Sequence, residues 1–375
     1  MKNSSKAVEP MKAVGKKKGA ASKASQRQGA ERGRDTIGID LGDKVSRYAI
    51  VDASGELLEE GSFRNEVSSI EKHFGGDTKP ARIAMEVGTQ SAWIERELKR
   101  LGHEVIVANA RELAWITASD RKNDRSDAEK LARLARADER LLKPVEHRTT
   151  EQQAELDVIR ARDGIVRART MLVNLARSLV KGFGCRLPAA ITLTFGTRAL
   201  TCVPDLLKPA LEGLLGQVDD LTRRIKEYEQ RIHALAQSKP EVIRLTTIPG
   251  VGELSALTFV LTLGNAGRFA QSRDVGAYLG MCPKQRQSGD RDPQLGISKA
   301  GNSYLRKLLA QCAHHILGPF GKDSALRRWG LAKAGATGAS NARKRAVIAV
   351  ARKLAVVMHK MWRTQQAFQA FPLTA

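Results

Sequence analysis

Short apolar runs separated by turn-forming residues dominate the chain from residue 36 to residue 108. Runs of this kind are typical of strands, whereas apolar residues spaced three and four apart are typical of amphipathic helices. The pattern predicts strands over Thr36–Gly42, Ser46–Asp52, Leu57–Phe63, Ala81–Val87 and Glu104–Ala108, and helices over Ser91–Leu101 and Ser126–Ala137. Three hairpin-connected strands followed by alternating helices and strands predict a mixed α/β domain over residues 35–145.

Two long helical patterns follow, one over 151–181 and a second that ends before Pro240. The second has apolar residues at alternating spacings of three and four, namely Leu211, Leu214, Val218, Leu221, Ile225, Tyr228, Ile232 and Leu235. A stripe sustained over three heptads is typical of a coiled coil between chains, and it equally fits one arm of a helical hairpin within one chain. We predict a helical, coiled-coil region over 146–240 and a mainly helical unit with Gly-rich interruptions over 241–375.

Charge changes this picture at the two ends of the chain. The 375 residues include 63 Lys or Arg and 40 Asp or Glu, a net charge of +23. Residues 1–34 hold ten Lys or Arg against two Glu, and residues 297–375 hold fourteen against one acid, Asp323. The first segment has almost no large apolar side chains, so we expect a disordered basic tail over 1–34. The excess of positive charge predicts a polyanionic partner, with nucleic acid as the first choice and an acidic membrane surface as the second.

Membrane insertion and secretion are not expected. No run reaches the roughly 18 consecutive apolar residues that a transmembrane helix requires, and no apolar core follows the basic N-terminus. The four cysteines are widely spaced without a Cys-x-x-Cys pair, so we predict neither structural zinc nor a disulfide framework. A location in the reducing cytoplasm follows.

Four carboxylates lie where predicted strands end or a predicted helix begins. Asp40 and Glu86 end the first and fourth strands, and Asp124 and Asp127 lie one helical turn apart at the start of a helix. In a ribonuclease-H-like sheet the first and fourth strands are neighbours, so the four side chains would converge and need divalent cations between them. Taken singly, each acid is equally explained as a turn former or, for Asp124, as a helix N-cap.

A glycine motif and a basic stretch occupy the C-terminal half. Gly250 and Gly252 in Ile-Pro-Gly-Val-Gly resemble a helix–hairpin–helix turn, in which backbone N–H groups approach a phosphate; a turn without a ligand is the alternative. Lys284 and Arg286 precede Ser288 in a polar loop, where a serine is usually a turn residue. Further on, we expect Asn302 or Ser303 to cap a helix that presents basic side chains. The residues predicted to contact nucleic acid are Gly250, Gly252, Lys284, Arg286, Lys299, Asn302, Arg306 and Lys307.

Taken together, these motifs resemble the IS110-type transposases, the RNA-guided recombinases of bacterial insertion sequences, from about residue 36 to about residue 363. The N-terminal motifs Ile39-Asp40-Leu-Gly-Asp-Lys44, Met85-Glu86-Val-Gly88 and Lys122-Asn-Asp124-Arg-Ser-Asp127-Ala128 match the family's RuvC-like DEDD domain. The C-terminal motifs Ile248-Pro-Gly-Val-Gly252, Ala277-Tyr-Leu-Gly280, Ser288-Gly289 and Ile297-Ser-Lys-Ala-Gly-Asn302 resemble its transposase domain. The basic tail makes the chain longer at its start than is usual in the family.

The resemblance implies a mechanism and a set of partners. Asp40, Glu86, Asp124 and Asp127 would be ligands of Mg²⁺ or Mn²⁺, and Ser288 would be the nucleophile that attacks a DNA phosphodiester. Strand exchange would pass through a junction intermediate, guided by a structured non-coding RNA that pairs with donor and target DNA. A coiled coil would support assembly into dimers and tetramers, and the protein would be associated with the bacterial nucleoid.

Three other readings fit parts of the sequence. A Holliday-junction-resolvase-like endonuclease would use the carboxylates and metal without serine chemistry. A sugar-kinase-like or actin-like ATPase also begins with a strand and Asp-Leu-Gly, but we find no Gly-rich adenosine loop later in the chain. A non-catalytic nucleic-acid-binding protein would use the acids only as turn formers.

Overall fold

The computed structural model describes residues 35–76, 78–109, 124–187, 195–286, 293, 295–335 and 340–371. The chain forms two compact units, divided in sequence between His147 and Arg148. The predicted tail over 1–34 and the loop residue Ser288 lie outside the described residues, as does the side chain of Asp124.

The first unit is built on a mixed five-stranded sheet in the order β3-β2-β1-β4-β5. Strands β1, β2 and β3 are antiparallel neighbours, whereas β1 pairs with β4 and β4 with β5 in parallel. The strands are Thr36–Asp40 (β1), Val45–Val51 (β2), Leu57–Arg64 (β3), Arg82–Glu86 (β4) and Glu104–Ala108 (β5). All five lie within one or two residues of their predicted bounds, and the predicted adjacency of the first and fourth strands is confirmed. The topology is compatible with a ribonuclease-H-like fold.

Helices cover both faces of this sheet because the strand residues alternate in direction. One face carries a core that includes Ile39, Met85 and Phe63, packed under Val67–Phe74 (α1) and Ser91–Arg100 (α2). The opposite face packs under Asp124–Ala137 (α3). The pattern did not predict α1, because eight residues with two buried anchors, Ile70 and Phe74, give too short a period to recognise.

The second unit is helical. Its described helices are Thr150–Lys181 (α4), Phe195–Leu200 (α5), Lys208–Gln237 (α6), Pro240–Thr246 (α7), Glu253–Leu263 (α8), Asp274–Tyr278 (α9), Ser303–Leu317 (α10), Ala325–Gly335 (α11) and Ser340–Thr364 (α12). Every residue of α8 from Ser255 to Leu263 is buried, which is expected of a helix that is apolar on all sides and central to its core. Helices α4, α6, α7, α9, α10 and α12 pack around it in one apolar cluster.

Helices α4 and α6 form an antiparallel hairpin. Glu155 pairs with Lys239 at one end, and Arg162 pairs with Glu229 further along. The buried face of α6 consists of Leu211, Leu215, Val218, Thr222, Ile225, Ile232 and Ala236. Four residues of the predicted stripe are among them, and the other four, Leu214, Leu221, Tyr228 and Leu235, are half-buried. The described chain therefore forms the intramolecular hairpin that the heptad pattern allows, and pairing between chains stays a prediction.

None of the described helices combines the length and the apolar character that crossing a lipid bilayer requires.

Candidate active site

Two of the predicted carboxylates end neighbouring parallel strands at the same level. Ile39 of β1 is paired in register with Met85 of β4, so the residues that follow them, Asp40 and Glu86, are also side by side. Because Ile39 and Met85 are buried in the core under α1 and α2, the alternation of strand side chains directs Asp40 and Glu86 toward the opposite face. Both residues are half-buried.

Helix α3 lies on that opposite face, directly over β1. A Cβ atom placed on Gly38 would come within 1.9 Å of the carbonyl oxygen of Ala128 and 2.5 Å of the backbone nitrogen of Ala132. Only a residue without a side chain permits this approach. Gly38 therefore sets how closely the beginning of α3 lies to the strand that ends in Asp40.

The other two predicted carboxylates belong to the first turn of α3. Asp127 directly precedes Ala128, and 13% of its side chain is exposed. Its Oδ1 atom forms an ion pair of 3.2 Å with the Nζ atom of Lys130. Asp124 is the first residue of the helix, one turn before Ala128, which is fully buried. Both acids therefore lie in the turn of α3 whose position is set by the close packing of the helix on β1.

The donor chemistry of this edge fits a hard divalent cation. Asp40, Glu86 and Asp127 offer carboxylate oxygens, which Mg²⁺ and Mn²⁺ prefer. Among the described residues, no three or more potential ligands already lie within coordinating distance of one point, and the side chain of the fourth acid is not described. Lys130 holds Asp127 in this arrangement, so metal binding would have to compete with that ion pair.

The turns that follow Asp40 and Glu86 are held by side chains that the sequence did not single out, and one of these, Gln90, joins the two turns. The Nδ2 atom of Asn65 donates to the carbonyl of Gly42 at 2.9 Å, and the amide of Gln90 donates to the carbonyl of Asp43. The Oγ atom of Ser91 donates to the carbonyl of Gly88 at 2.8 Å. Asn65 gives no sequence signal, whereas Gln90 and Ser91 lie within three residues of the Met-Glu-Val-Gly motif, at the start of α2.

Asp52 is the counterexample among the acids of this unit. Its Oδ1 atom accepts hydrogen bonds from the backbone nitrogens of Ser54, Gly55 and Glu56 at 2.8–2.9 Å in the turn between β2 and β3. Hydrogen bonds from the Ser54 side chain and from the backbone of Glu56 hold the pKa of Asp52 below its ordinary value. Asp52 is therefore a turn former.

In the second unit, the loop that contains Ser288 begins and ends at a short antiparallel bridge. Pro283 pairs with Ile297, the backbone nitrogen of Lys284 donates to the carbonyl of Gly296 at 3.0 Å, and that of Ser298 donates to Cys282 at 2.9 Å. The two chain segments on either side of the loop are therefore held together. Ser288 itself lies outside the described residues.

Arg306 of α10 stabilises the turns beside this bridge. Its Nη1 atom donates to the carbonyls of Leu279 at 3.1 Å and Gly301 at 3.2 Å, and also to that of Ala300. Gly280, at a φ of 66°, fits here because a Cβ atom would lie 2.1 Å from the backbone nitrogen of Ala300. This guanidinium is thus half-buried and engaged with backbone, whereas the sequence predicted a phosphate contact.

Of the other residues around the Ser288 loop that were predicted to bind nucleic acid, four have exposed side chains and one caps a helix. Lys284, Arg286, Lys299 and Lys307 are exposed. Asn302 caps α10, accepting a hydrogen bond from the backbone nitrogen of Leu305 at 2.9 Å, as one of the two predicted caps.

The glycine motif connects α7 to α8. Gly250 has a φ of 90°, and its missing side chain leaves room for the ring of His315, which a Cβ atom would meet at 2.8 Å. Gly252 is the N-cap of α8. In the next position, the Glu253 carboxylate accepts hydrogen bonds from His233 and Gln237 at 2.9 Å.

Two models of known protein families match this chain, one mainly in each unit. A family model for DEDD transposases of the IS110 type matches residues 37–184, and a model for the transposase IS116/IS110/IS902 family matches residues 243–329. The first match covers the sheet with its carboxylates, and the second covers the helices and the bridge that flank the Ser288 loop.

Individual relatives agree with these models. The chain is 31% identical over 285 residues to the transposase for insertion sequence element IS1328 of Yersinia enterocolitica, covering 74% of this chain and 82% of that protein. It is 30% identical over 302 residues to a probable family 20 transposase of Pseudomonas aeruginosa, covering 78% and 87%. A third relative is the transposase for insertion sequence element IS1111A of Coxiella burnetii, at 34% identity over 204 residues, covering 52% and 55%.

Proposed function

Since this chain belongs to the IS110 family of transposases and is therefore a DNA transposase, we propose that it joins metal-assisted and serine chemistry in one reaction. The carboxylates Asp40, Glu86, Asp124 and Asp127 bind Mg²⁺ or Mn²⁺, and Ser288 is the nucleophile. The observation that carries this proposal is that Asp40 and Glu86 end neighbouring strands side by side. They do so on the face of the sheet where Gly38 allows α3 to pack closely.

In the metal site, the strand ends and the helix have different tasks. Asp40 and Glu86 are fixed by the paired backbone of β1 and β4, so they provide a rigid pair of ligands. Asp124 and Asp127 complete the set from the start of α3. A divalent cation bound there supplies polarisation of the phosphate and stabilisation of the leaving oxygen. Asp127 is paired with Lys130 and would have to leave that ion pair to hold the metal.

The serine chemistry belongs to the second unit. The Oγ atom of Ser288 attacks a DNA phosphorus atom, so that an O–P bond to the serine forms and a P–O bond to a sugar breaks. One DNA end is then joined to Ser288, and the other carries a free hydroxyl. The reverse attack by a hydroxyl from another strand releases the serine and joins the strands. The bridge at Pro283 and Ile297 supports this role because it holds the ends of the loop together.

The partners are donor and target DNA together with a structured non-coding guide RNA. The exposed Lys284, Arg286, Lys299 and Lys307 contact backbone phosphates beside the serine loop. Gly250 and Gly252 bring backbone N–H groups of the α7–α8 turn to a phosphate, as in a helix–hairpin–helix motif. Asn302 and Arg306 act on these contacts through the turns and the helix that they hold.

Assembly into a homo-oligomer completes the proposal. Met171, Leu175 and Leu179 are exposed and recur every four residues along the end of α4, and Phe183, two residues after the helix, is also exposed. A stripe at this spacing lies on one side of a helix and suits pairing with the same stripe of a second chain, as in a coiled coil.

The test is to trap the covalent protein–DNA adduct. The full-length protein is incubated with labelled element-end DNA, RNA transcribed from the non-coding part of the same element, and Mg²⁺, then denatured and run on a gel. We expect an adduct with the wild-type protein and with Ser303→Ala, which removes another exposed serine of the second unit. Ser288→Ala and Asp40→Asn should give none.

Two results would contradict the proposal in different ways. An adduct that persists in Ser288→Ala would overturn the nucleophile. Metal-dependent cleavage without any adduct, unchanged in Ser288→Ala, would identify a resolvase-like endonuclease that uses only the carboxylates.

A further inference from the structure

A cavity of about 240 Å³ lies between α11, α12 and the segment 366–370 that follows them. Helix α12 ends at Thr364, and Gln365 adopts a φ of 55°, which turns the chain back. The backbone nitrogen of Ala325 donates to the carbonyl of Ala370 at 2.8 Å, so the returning segment is tied to the start of α11. Phe368 packs against the main core of the unit. These contacts hold the returning segment against the helices and so form the cavity.

The walls of this cavity combine an apolar floor with a basic rim. Leu326, Val357 and Met361 provide apolar surface, and Lys353 and Lys360 of α12 line the same space. Both lysines are exposed, and neither forms an ion pair with a carboxylate of the described residues. Their charges are therefore available to an anionic ligand.

The surroundings of the cavity offer a ligand positive charge with very little competing acid. From residue 297 onward the sequence holds one acid, Asp323, and its carboxylate is paired with Arg328 at 2.6 Å. Lys353 and Lys333 lie over the ring of Trp329 at 4.4 and 5.2 Å from its centroid. Arg328 lies over Phe371 at 4.8 Å. Cationic and aromatic side chains are therefore neighbours beside the cavity, a combination that also occurs on surfaces that bind single-stranded nucleic acid.

Size and charge spacing indicate one nucleotide. A volume of about 240 Å³ is slightly below the roughly 300 Å³ at which pockets for small ligands begin, which suits a single base and not a base pair. Lys353 and Lys360 are two helical turns apart, about 10 Å along the axis at 1.5 Å per residue. Their flexible stems allow the two ammonium groups to hold the phosphates on either side of one base.

We propose that this cavity binds an unpaired nucleotide of a nucleic-acid strand, with its base on the apolar floor and its neighbouring phosphates on Lys353 and Lys360. A base in a duplex is stacked on both faces and paired along one edge, so it enters such a cavity only after extrusion, which costs free energy. The site therefore selects single-stranded over duplex segments. It depends on the nucleic-acid partner of the proposed function and not on the metal or serine chemistry.

Binding to labelled oligonucleotides tests this proposal without any cleavage step. Fluorescence anisotropy is measured for the full chain with a short oligo(dT), an oligo(U) of equal length and a duplex, over a range of salt concentrations. The variant Lys353→Gln/Lys360→Gln removes both rim charges. The control Lys226→Gln/Lys344→Gln removes two exposed lysines that do not line the cavity. Ala367→Trp fills the cavity without changing the charge.

We expect the rim variant to bind single strands about tenfold more weakly than the control, with a salt slope lower by about 1.4, since each phosphate contact on a single strand contributes about 0.7. Ala367→Trp should weaken single-strand binding about tenfold with an unchanged slope, because the indole occupies the space in which the base would contact the apolar floor. Duplex binding should fall no further than in the control. The single strand that loses more identifies the source as DNA or RNA.

Equal losses in the rim and control variants, or equal losses for single strands and duplex, would overturn this assignment. The two proposals can fail separately. If the rim and cavity variants bind nucleic acid as the wild type does, the cavity proposal is wrong, whereas the proposed function is still decided by the covalent adduct.

Discussion

A glycine decides where the carboxylates of α3 lie. Gly38 faces the backbone of the helix at Ala128 and Ala132, and these contacts leave no room for a methyl group. Asp40 follows Gly38 by two residues on the same face of β1, and Asp127 directly precedes Ala128. The close packing of α3 on β1 therefore also determines where the carboxylates of the site lie.

Gly38→Ala should unfold the first unit more easily and abolish DNA cleavage. A Cβ atom 1.9 Å from the Ala128 carbonyl oxygen forces α3 away from β1, and overpacking of this kind costs about 1–3 kcal/mol. Urea denaturation followed by circular dichroism measures the loss. Gly88→Ala is the matched control, since a Cβ atom there would have nothing within 4 Å, and its stability should change by less than about 0.5 kcal/mol. Equal stability of the two variants would contradict this account of the helix seat.

The α4–α6 hairpin joins two apolar clusters through a polar middle. One cluster includes Ile159 and Ile232, and the other includes Val173 and Val218. Between them, Arg169 donates to the Oγ1 atom of Thr222 at 3.3 Å, and its buried Nε atom has no partner among the described residues. Burial, together with the nearby charge of Arg162, lowers the pKa of the Arg169 guanidinium. The middle of the hairpin thus contains a half-buried positive charge, which lowers the stability of the hairpin.

Arg169→Met should stabilise the hairpin. Methionine has similar length and high helix propensity, and it removes a half-buried charge whose buried Nε atom has no partner among the described residues, so we expect a gain of at most about 1 kcal/mol. This corresponds to a rise of roughly 2–4 °C in the Tm of a unit of this size, read by calorimetry. Arg167→Met removes an exposed arginine of the same helix, paired with Asp163 at 3.1 Å, and should leave the Tm unchanged or slightly lower. A fall in the Tm of Arg169→Met would mean that this arginine stabilises the pair of helices.

The second unit is held together by contacts between segments far apart in the sequence. His359 of α12 is fully buried, and its ring atoms contact the Ser272 hydroxyl at 2.9 Å and the Ala266 carbonyl at 3.0 Å. A neutral ring satisfies both partners, accepting from the hydroxyl and donating to the carbonyl. Burial, which prevails over the effect of that hydrogen bond, lowers the pKa of His359 from its ordinary value. Folding of this unit is therefore linked to the loss of a proton.

The stability of the whole unit should consequently fall in mild acid. Below about pH 6.5, the ordinary pKa of histidine, the unfolded chain binds a proton at residue 359 that the folded chain does not, so protons favour unfolding. His359→Gln, which keeps a donor and an acceptor, should lose part of the decrease in Tm between about pH 7 and 5.5. His314→Gln changes an exposed histidine and should keep the full decrease. Identical pH profiles for wild type and His359→Gln would exclude this linkage.

Local patterns in the sequence determined the elements and the chemistry available to them. The strands, the helix that begins near Asp124, the long helices and the uneven charge follow from side-chain periodicity and composition, which act over a few residues. The positions of Asp40 and Glu86 at strand ends follow from the same patterns. The family resemblance, which the comparisons confirm, joined these pieces into a transposase.

Only the tertiary structure decided which of these residues come together. It aligned Asp40 with Glu86, placed α3 on Gly38, used the heptad stripe within a hairpin and engaged Arg306 with backbone carbonyls. It also made a cavity between Lys353, Lys360 and a returning segment. The physical reason is that periodicity specifies which side of an element is apolar, whereas register, close approach and partner choice depend on the packing of residues distant in sequence.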